Sequence, residues 1–188
     1  MHNLLLLSDT MTHQVKGSYL KLLIGKERHQ YQKLIRTKLI SKDIFEIDEQ
    51  QWYNCNILSE ILQEIDDDFG NTLIHKIGYE FASNLAFCSE SAHLEEALTE
   101  VLKFLGKYHR SENTQDNLLR YFYSQSQEAL IETKLPYPQT FIQGFLLSIV
   151  KKYQPRFAIK TKVMLLNEQN SSSILKNNYL YQINWTMV

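Results

Sequence analysis

The run Leu135-Pro-Tyr-Pro-Gln-Thr-Phe-Ile-Gln-Gly-Phe-Leu-Leu-Ser-Ile-Val-Lys-Lys-Tyr153 decides the fold. Pro136 and Pro138 stop whatever precedes them, because each fixes its own φ, lacks a backbone donor and keeps the residue before it out of helical geometry. A helix is therefore expected to start at Pro138. Phe141, Ile142, Phe145, Leu146, Ile149 and Tyr153 recur at three- and four-residue spacing and make one apolar stripe. Lys151 and Lys152 fall at its carbonyl end, where cations are favoured.

On both sides of this helix the period changes to two. Downstream, Phe157, Ile159, Thr161 and Val163 alternate with Arg156, Lys160 and Lys162, and Tyr179, Tyr181, Ile183 and Trp185 share one face. Upstream, Leu118 to Tyr123 and Glu128 to Thr133 read as two strands joined at Ser124-Gln125-Ser126. The order is hairpin, helix, hairpin. The connection from Asn167 to Ser173 is made of turn formers, which predicts that the last two strands are antiparallel neighbours.

The pattern of Tyr137, Pro138, Phe141 and Gly144, followed by two strands ending in Tyr179-x-Tyr181-x-Ile183-x-Trp185, resembles the C-terminal half of a known superfamily. It contains vinyl-reductase-type sensor domains, heme-nitric-oxide-binding (H-NOX) domains and TRAPP trafficking subunits. The segment from Leu94-Glu-Glu-Ala-Leu to Tyr108-His109-Arg110 is similar to stand-alone bacterial members. The resemblance covers Val15 to Trp185. It implies an α+β fold in which an N-terminal helical half packs on a small, about four-stranded antiparallel sheet, with one helix between its two hairpins.

Length and composition agree with that class. At 188 residues one domain can bury a core without staples, so a loose arm over 1–14 and a single domain over 15–188 are expected. Cys55 and Cys88 form neither a Cys-x-x-Cys pair nor a framework, and read as buried thiols in a reducing interior. Leu4 to Leu7 is too short for a signal-peptide core, and no run reaches membrane-spanning length, so a cytoplasmic protein is expected. A net charge of −1 argues against non-specific nucleic-acid binding. Eight basic residues lie between Lys16 and Lys42 against Glu27 alone, and fourteen acidic ones from Asp43 to Glu100 against Lys76 alone. These runs either pair with each other or form a partner or dimer surface.

Apolar spacing predicts helices from Val15 to Leu23, broken at Gly25, then Tyr31 to Leu39, Trp52 to Ile65, Leu73 to Phe87 and Leu94 to Tyr108, with a loop over 43–48. Asp66, Asp67 and Asp68 read as a solvated corner, since consecutive helical carboxylates diverge and do not converge on a cation. Gly78 inside a helix destabilises it by roughly 1 kcal/mol relative to Ala, which points to a close helix or ligand approach there.

Chemistry-bearing patterns are sparse. The six histidines include no pair at i, i+3 or i+4, and neither a phosphate loop nor a Gly-x-Ser-x-Gly elbow occurs, so no catalytic residues and no metal site are assigned. The gas-sensing branch of the superfamily ligates heme iron through a histidine on a helix before the sheet and clamps the propionates with Tyr-x-Ser-x-Arg. His109 stands at a comparable place and is the candidate heme ligand. Tyr121 to Gln127 holds no such clamp, its nearest cation is Arg120, and a lone histidine at a helix end is more often a cap or a surface residue, so heme is disfavoured and no cofactor is expected. The loop before the last strand lacks the cysteines of the zinc-binding sensors, which implies a metal-free version.

The aromatic load remains. It either fills the core or lines an apolar pocket between helices and sheet, as the superfamily implies, with Tyr79, Tyr108, Tyr121, Tyr123, Phe141, Phe145 and Tyr181 as the candidate lining. The leading expectation is a non-catalytic regulatory protein that binds a hydrophobic or aromatic small molecule and signals through a partner or a dimer. The alternative is an interaction scaffold of the TRAPP-subunit type with a collapsed cavity, and the third a heme-based gas sensor using His109.

Overall fold

The computed structural model describes residues 13–25, 30–85, 93–111, 119–125, 127–154, 158–166 and 179–187. Residues 1–12 of the expected arm, and Cys88, lie outside them. The helices are α1 (Gly17–Ile24), α2 (Gln30–Ser41), α3 (Cys55–Phe69), α4 (Asn71–Ser83), α5 (Leu94–Tyr108) and α6 (Gln139–Lys152). The strands are β1 (His13–Lys16), β2 (Trp52–Asn54), β3 (His109–Ser111), β4 (Leu119–Gln125), β5 (Glu128–Thr133), β6 (Ala158–Leu166) and β7 (Tyr179–Met187).

The C-terminal half follows the sequence reading. Strands β4, β5, β7 and β6 form an antiparallel sheet in that order, so the two hairpins lie side by side and meet through β5 and β7. Ile131 faces Tyr181 and Ala129 faces Ile183 across that junction, and all four side chains are buried. Period two therefore delivers one apolar face, and α6 covers it. Pro138 takes the cap position of α6, and its carbonyl accepts from Phe141 and Ile142.

The N-terminal half departs from the reading in three places. His13 and Gln14 belong to a strand and not to an arm, Val15 sits in β1 and not in a helix, and Trp52 opens β2 rather than α3. Strands β2, β1 and β3 make a second antiparallel sheet, with Val15 between Tyr53 and His109. Three- and four-residue strands are too short to show a period. Asn54 then caps α3, its side-chain oxygen accepting from the Asn56 amide at 2.9 Å. Gly70, at φ 83°, turns the chain from α3 into α4 two residues after the last of the three aspartates.

The two charge runs pair with each other. Lys38 of α2 meets Glu64 and Asp68 of α3, each at 3.1 Å, and Lys42 meets Glu60 at 2.9 Å and Glu64 at 3.1 Å. Helix α6 crosses α4 at two glycines. A Cβ on Gly78 would stand 2.1 Å from the carbonyl oxygen of Phe141, and one on Gly144 would stand 2.0 Å from that of His75. Backbone lies against backbone at this crossing, which fixes how closely the helical half approaches the sheet.

Candidate functional site

Where α1, α5, β5 and α6 converge, an apolar seam closes between the two halves. Tyr19, Leu105, Ile131, Leu135, Tyr137, Phe141, Ile142, Phe145 and Leu146 surround a residual cavity of about 20 Å³, with Thr133 at its edge. That is room for about one water molecule.

Three polar side chains cross this seam. His109 follows the last turn of α5 with extended backbone, is 3% exposed, and meets the ring of Tyr19 edge-on at a centroid distance of 4.6 Å. Its Nδ1 lies 3.0 Å from the Leu105 carbonyl oxygen and its Nε2 lies 2.7 Å from Tyr137 Oη. A carbonyl only accepts, so Nδ1 carries the proton. In a neutral ring Nε2 is then the acceptor, and the Tyr137 hydroxyl donates to it. The Tyr137 proton being used, the Cys55 thiol at 3.9 Å donates to the phenolic oxygen. Thiol, hydroxyl, imidazole and carbonyl thus form one directed chain.

Burial keeps every member neutral. It pushes His109 down to about 4, the Leu105 carbonyl acting against it and His13 adding to it. It pushes the Cys55 thiol up to about 12 and the Tyr137 phenol well above its ordinary value. Neither Cys55 nor Tyr137 is therefore a nucleophile or a base near neutral pH.

The segment carrying Tyr137 is tied down on both sides. Ser59 of α3 donates to the Pro136 carbonyl, and Tyr181 of β7 donates to the Gln139 carbonyl at 3.1 Å. The Leu135 amide donates to Thr133 Oγ1 at 3.1 Å. Tyr137 is held as a fixed strut. Tyr137→Phe keeps the ring and leaves the buried Nε2 without a donor, so it is expected to lower stability by about 1–3 kcal/mol, read from urea unfolding followed by circular dichroism.

Of the lining expected from sequence, Phe141 and Phe145 border the cavity. Tyr181 is buried beneath the start of α6, engaged with Gln139. Tyr108 is half-buried, 4.8 Å from the Phe104 ring, and Tyr79 is half-buried with the Lys151 ammonium 5.5 Å from its ring centre. Neither of these two lines the cavity. Tyr121 and Tyr123 lie on β4 opposite Ile131 and Ala129, and their side chains fall outside the described residues. His109 is the C-cap of α5, its amide and Nδ1 both directed at the Leu105 carbonyl, but it is buried and doubly engaged rather than at the surface. Sequence reasoning passed over Tyr19 and Tyr137 as lining and Cys55 as a partner. The proline on each side of Tyr137 was the available signal, since it fixes that side chain's backbone.

No family model and no curated protein matches this sequence. Solved structures do. The Cs H-NOX mutant carrying 4-cyano-L-phenylalanine superposes with a TM-score of 0.62 at 14% identity, over 92% of this chain and 98% of that one. A single-residue mutant of T. tengcongensis H-NOX gives 0.59 at 14% identity, over 92% and 99%. An oxygen-binding H-NOX domain related to soluble guanylate cyclases gives 0.56 at 11% identity, over 90% and 92%. The fold is that of an H-NOX domain. At these identities the likeness is one of fold.

Another similar structure probes the function of heme distortion in the H-NOX family, which makes heme the group to test against this seam. His109 suits it as a donor, because a proton held on Nδ1 by a carbonyl is how a metal-binding imidazole is oriented. The surroundings do not suit it. Nε2 is engaged by Tyr137, and about 20 Å³ of space compares with roughly 300–1,000 Å³ for a small-molecule pocket. A porphyrin does not fit between the halves as they are packed. Among the described residues no group of three or more His, Cys, Asp or Glu is placed to hold a metal ion.

Proposed function

We propose that this H-NOX-like chain is a non-catalytic regulatory protein that takes a small hydrophobic or aromatic molecule into the seam between helices and sheet, and signals the change to a protein partner or across a homodimer. One observation carries the reading: the Cys55, Tyr137 and His109 chain is buried in an otherwise apolar seam. Apolar side chains of the same shape would hold a core as well. Polar groups spent there suit a place that must change state. The molecule would enter by parting Tyr137, Phe141 and Phe145 from Tyr19 and Leu105, and Tyr79, Tyr108, Tyr121, Tyr123 and Tyr181 would surround the widened space. The reading takes the chain as one cytoplasmic domain. No helix among the described residues is long and apolar enough to cross a membrane.

The small volume of the cavity favours a second reading, a scaffold of the TRAPP-subunit type in which the seam is permanently closed and association is the work. Native mass spectrometry of freshly purified protein separates the two. The sensor reading expects a bound species of a few hundred daltons that is released on denaturation. Protein of bare chain mass, whose melting temperature is unmoved by a panel of small aromatics and which forms a stable oligomer, would sink it in favour of the scaffold.

A further inference from the structure

We infer that Tyr137 is the resident ligand of His109: its hydroxyl holds the ring nitrogen that iron would need, and the pair serves as a clasp between the helical half and the sheet. The inference goes beyond the proposed function and stands without it. The H-NOX fold is kept here with a histidine at the seam, yet the group in front of that histidine is supplied by the chain itself.

Three features support it. The ring is oriented by the Leu105 carbonyl, so Nε2 is fixed as an acceptor and must face a donor. The hydroxyl that meets it is that of Tyr137 at 2.7 Å, whose backbone is set between two prolines and anchored to α3 through Ser59 and to β7 through Tyr181. A side chain so held does not swing aside without releasing those anchors. Finally, the clasp joins elements far apart in sequence. His109 closes α5 and opens β3, Tyr137 precedes α6, and Cys55 opens α3. The segment leading into α6 is thus tied to the start of α3 and the end of α5 at a single point.

Two measurements on the full chain test this. In the first, hemin is titrated into wild type and into His109→Leu, and absorbance is read through the Soret region. The expected result is no saturable one-to-one band in wild type beyond that of the variant. A stoichiometric band in wild type that disappears in His109→Leu would overturn the inference, because iron would then have displaced Tyr137. In the second, the ring nitrogens of His109 are observed by ¹⁵N NMR in wild type and Tyr137→Phe, a substitution that keeps the ring and the fold. A proton on Nδ1, an unprotonated Nε2 in wild type, and a shift of the Nε2 resonance alone in the variant are expected. A proton on Nε2, or an Nε2 resonance indifferent to loss of the hydroxyl, would refute the clasp whatever the hemin result.

Discussion

Gly144→Ala is expected to destabilise the folded chain by about 3 kcal/mol, near the upper end for overpacking a core, and Gly144→Val to prevent folding. The added methyl would stand 2.0 Å from the His75 carbonyl oxygen, and the same methyl on Gly78 would stand 2.1 Å from that of Phe141. Both obstacles are helix backbone, which cannot turn away as a side chain can. Relief therefore requires α4 and α6 to separate along the crossing. Separation draws Phe141 and Phe145 away from Phe81, whose ring lies 6.4 Å and 6.0 Å from theirs, and loosens the seam those phenylalanines line. Because Gly78→Ala would part the same two helices, the double variant is expected to lose less than the sum of the singles. Gly106 supplies the control. It lies exposed in α5 with nothing near its missing Cβ, so Gly106→Ala is expected to raise stability by up to about 1 kcal/mol. Urea unfolding followed by far-ultraviolet circular dichroism reads the four alanine variants, and the native spectrum is expected to be missing in Gly144→Val. A Gly144→Ala midpoint equal to wild type would mean that the helices do not cross in contact.

This crossing was half legible. Gly78 announced itself as a costly residue in a helix interior, whereas Gly144 announced itself only within the resemblance, and nothing local says that the two face each other. The same division runs through the fold. Helix α6 and the strands around it could be read because Phe141, Phe145 and Ile149 keep a helical period while Tyr181 and Ile183 alternate, and because prolines and a polar loop mark the boundaries. The pairing of β5 with β7 could not, since it joins residues some fifty positions apart and register is settled only by which faces are buried together. Strands β1, β2 and β3 are shorter than the window in which alternation becomes visible. The charge runs illustrate a further limit. Lys38 and Lys42 could also be read as a partner surface until α3 is seen to lay Glu60, Glu64 and Asp68 alongside them. At the seam, spacing was enough to put Phe141 and Phe145 on the buried face of α6. His109 read as a cap or a surface residue; it is the cap of α5, and its burial was not legible because it depends on β3 pairing with β1, a contact that a one-dimensional pattern does not encode.

Below neutral pH the seam itself should report its closure. Burial holds His109 at about 4 in the folded chain against an ordinary value of 6.5. Between those values the unfolded chain binds a proton that the folded chain refuses. The stability contributed by the neutral ring is therefore complete above about pH 6.5 and is lost as pH falls towards about 4, a total of about 3 kcal/mol. Other groups titrate nearby in pH. Glu64, held low by its hydrogen bonds with Lys42 and Lys38, loses its own contribution as pH falls through its folded value. The histidine is isolated by difference. His109→Gln keeps an acceptor and a donor at the site but does not titrate, so it is expected to be less stable than wild type at about pH 7.5, with the gap narrowing by about 2 kcal/mol by about pH 5. Unfolding midpoints in urea across that range supply the comparison. Parallel curves for the two proteins would mean that His109 exchanges protons with water in the folded state. An imidazole reached by water cannot be sealed behind Tyr137, so the same curves would undo the clasp and the closed seam together.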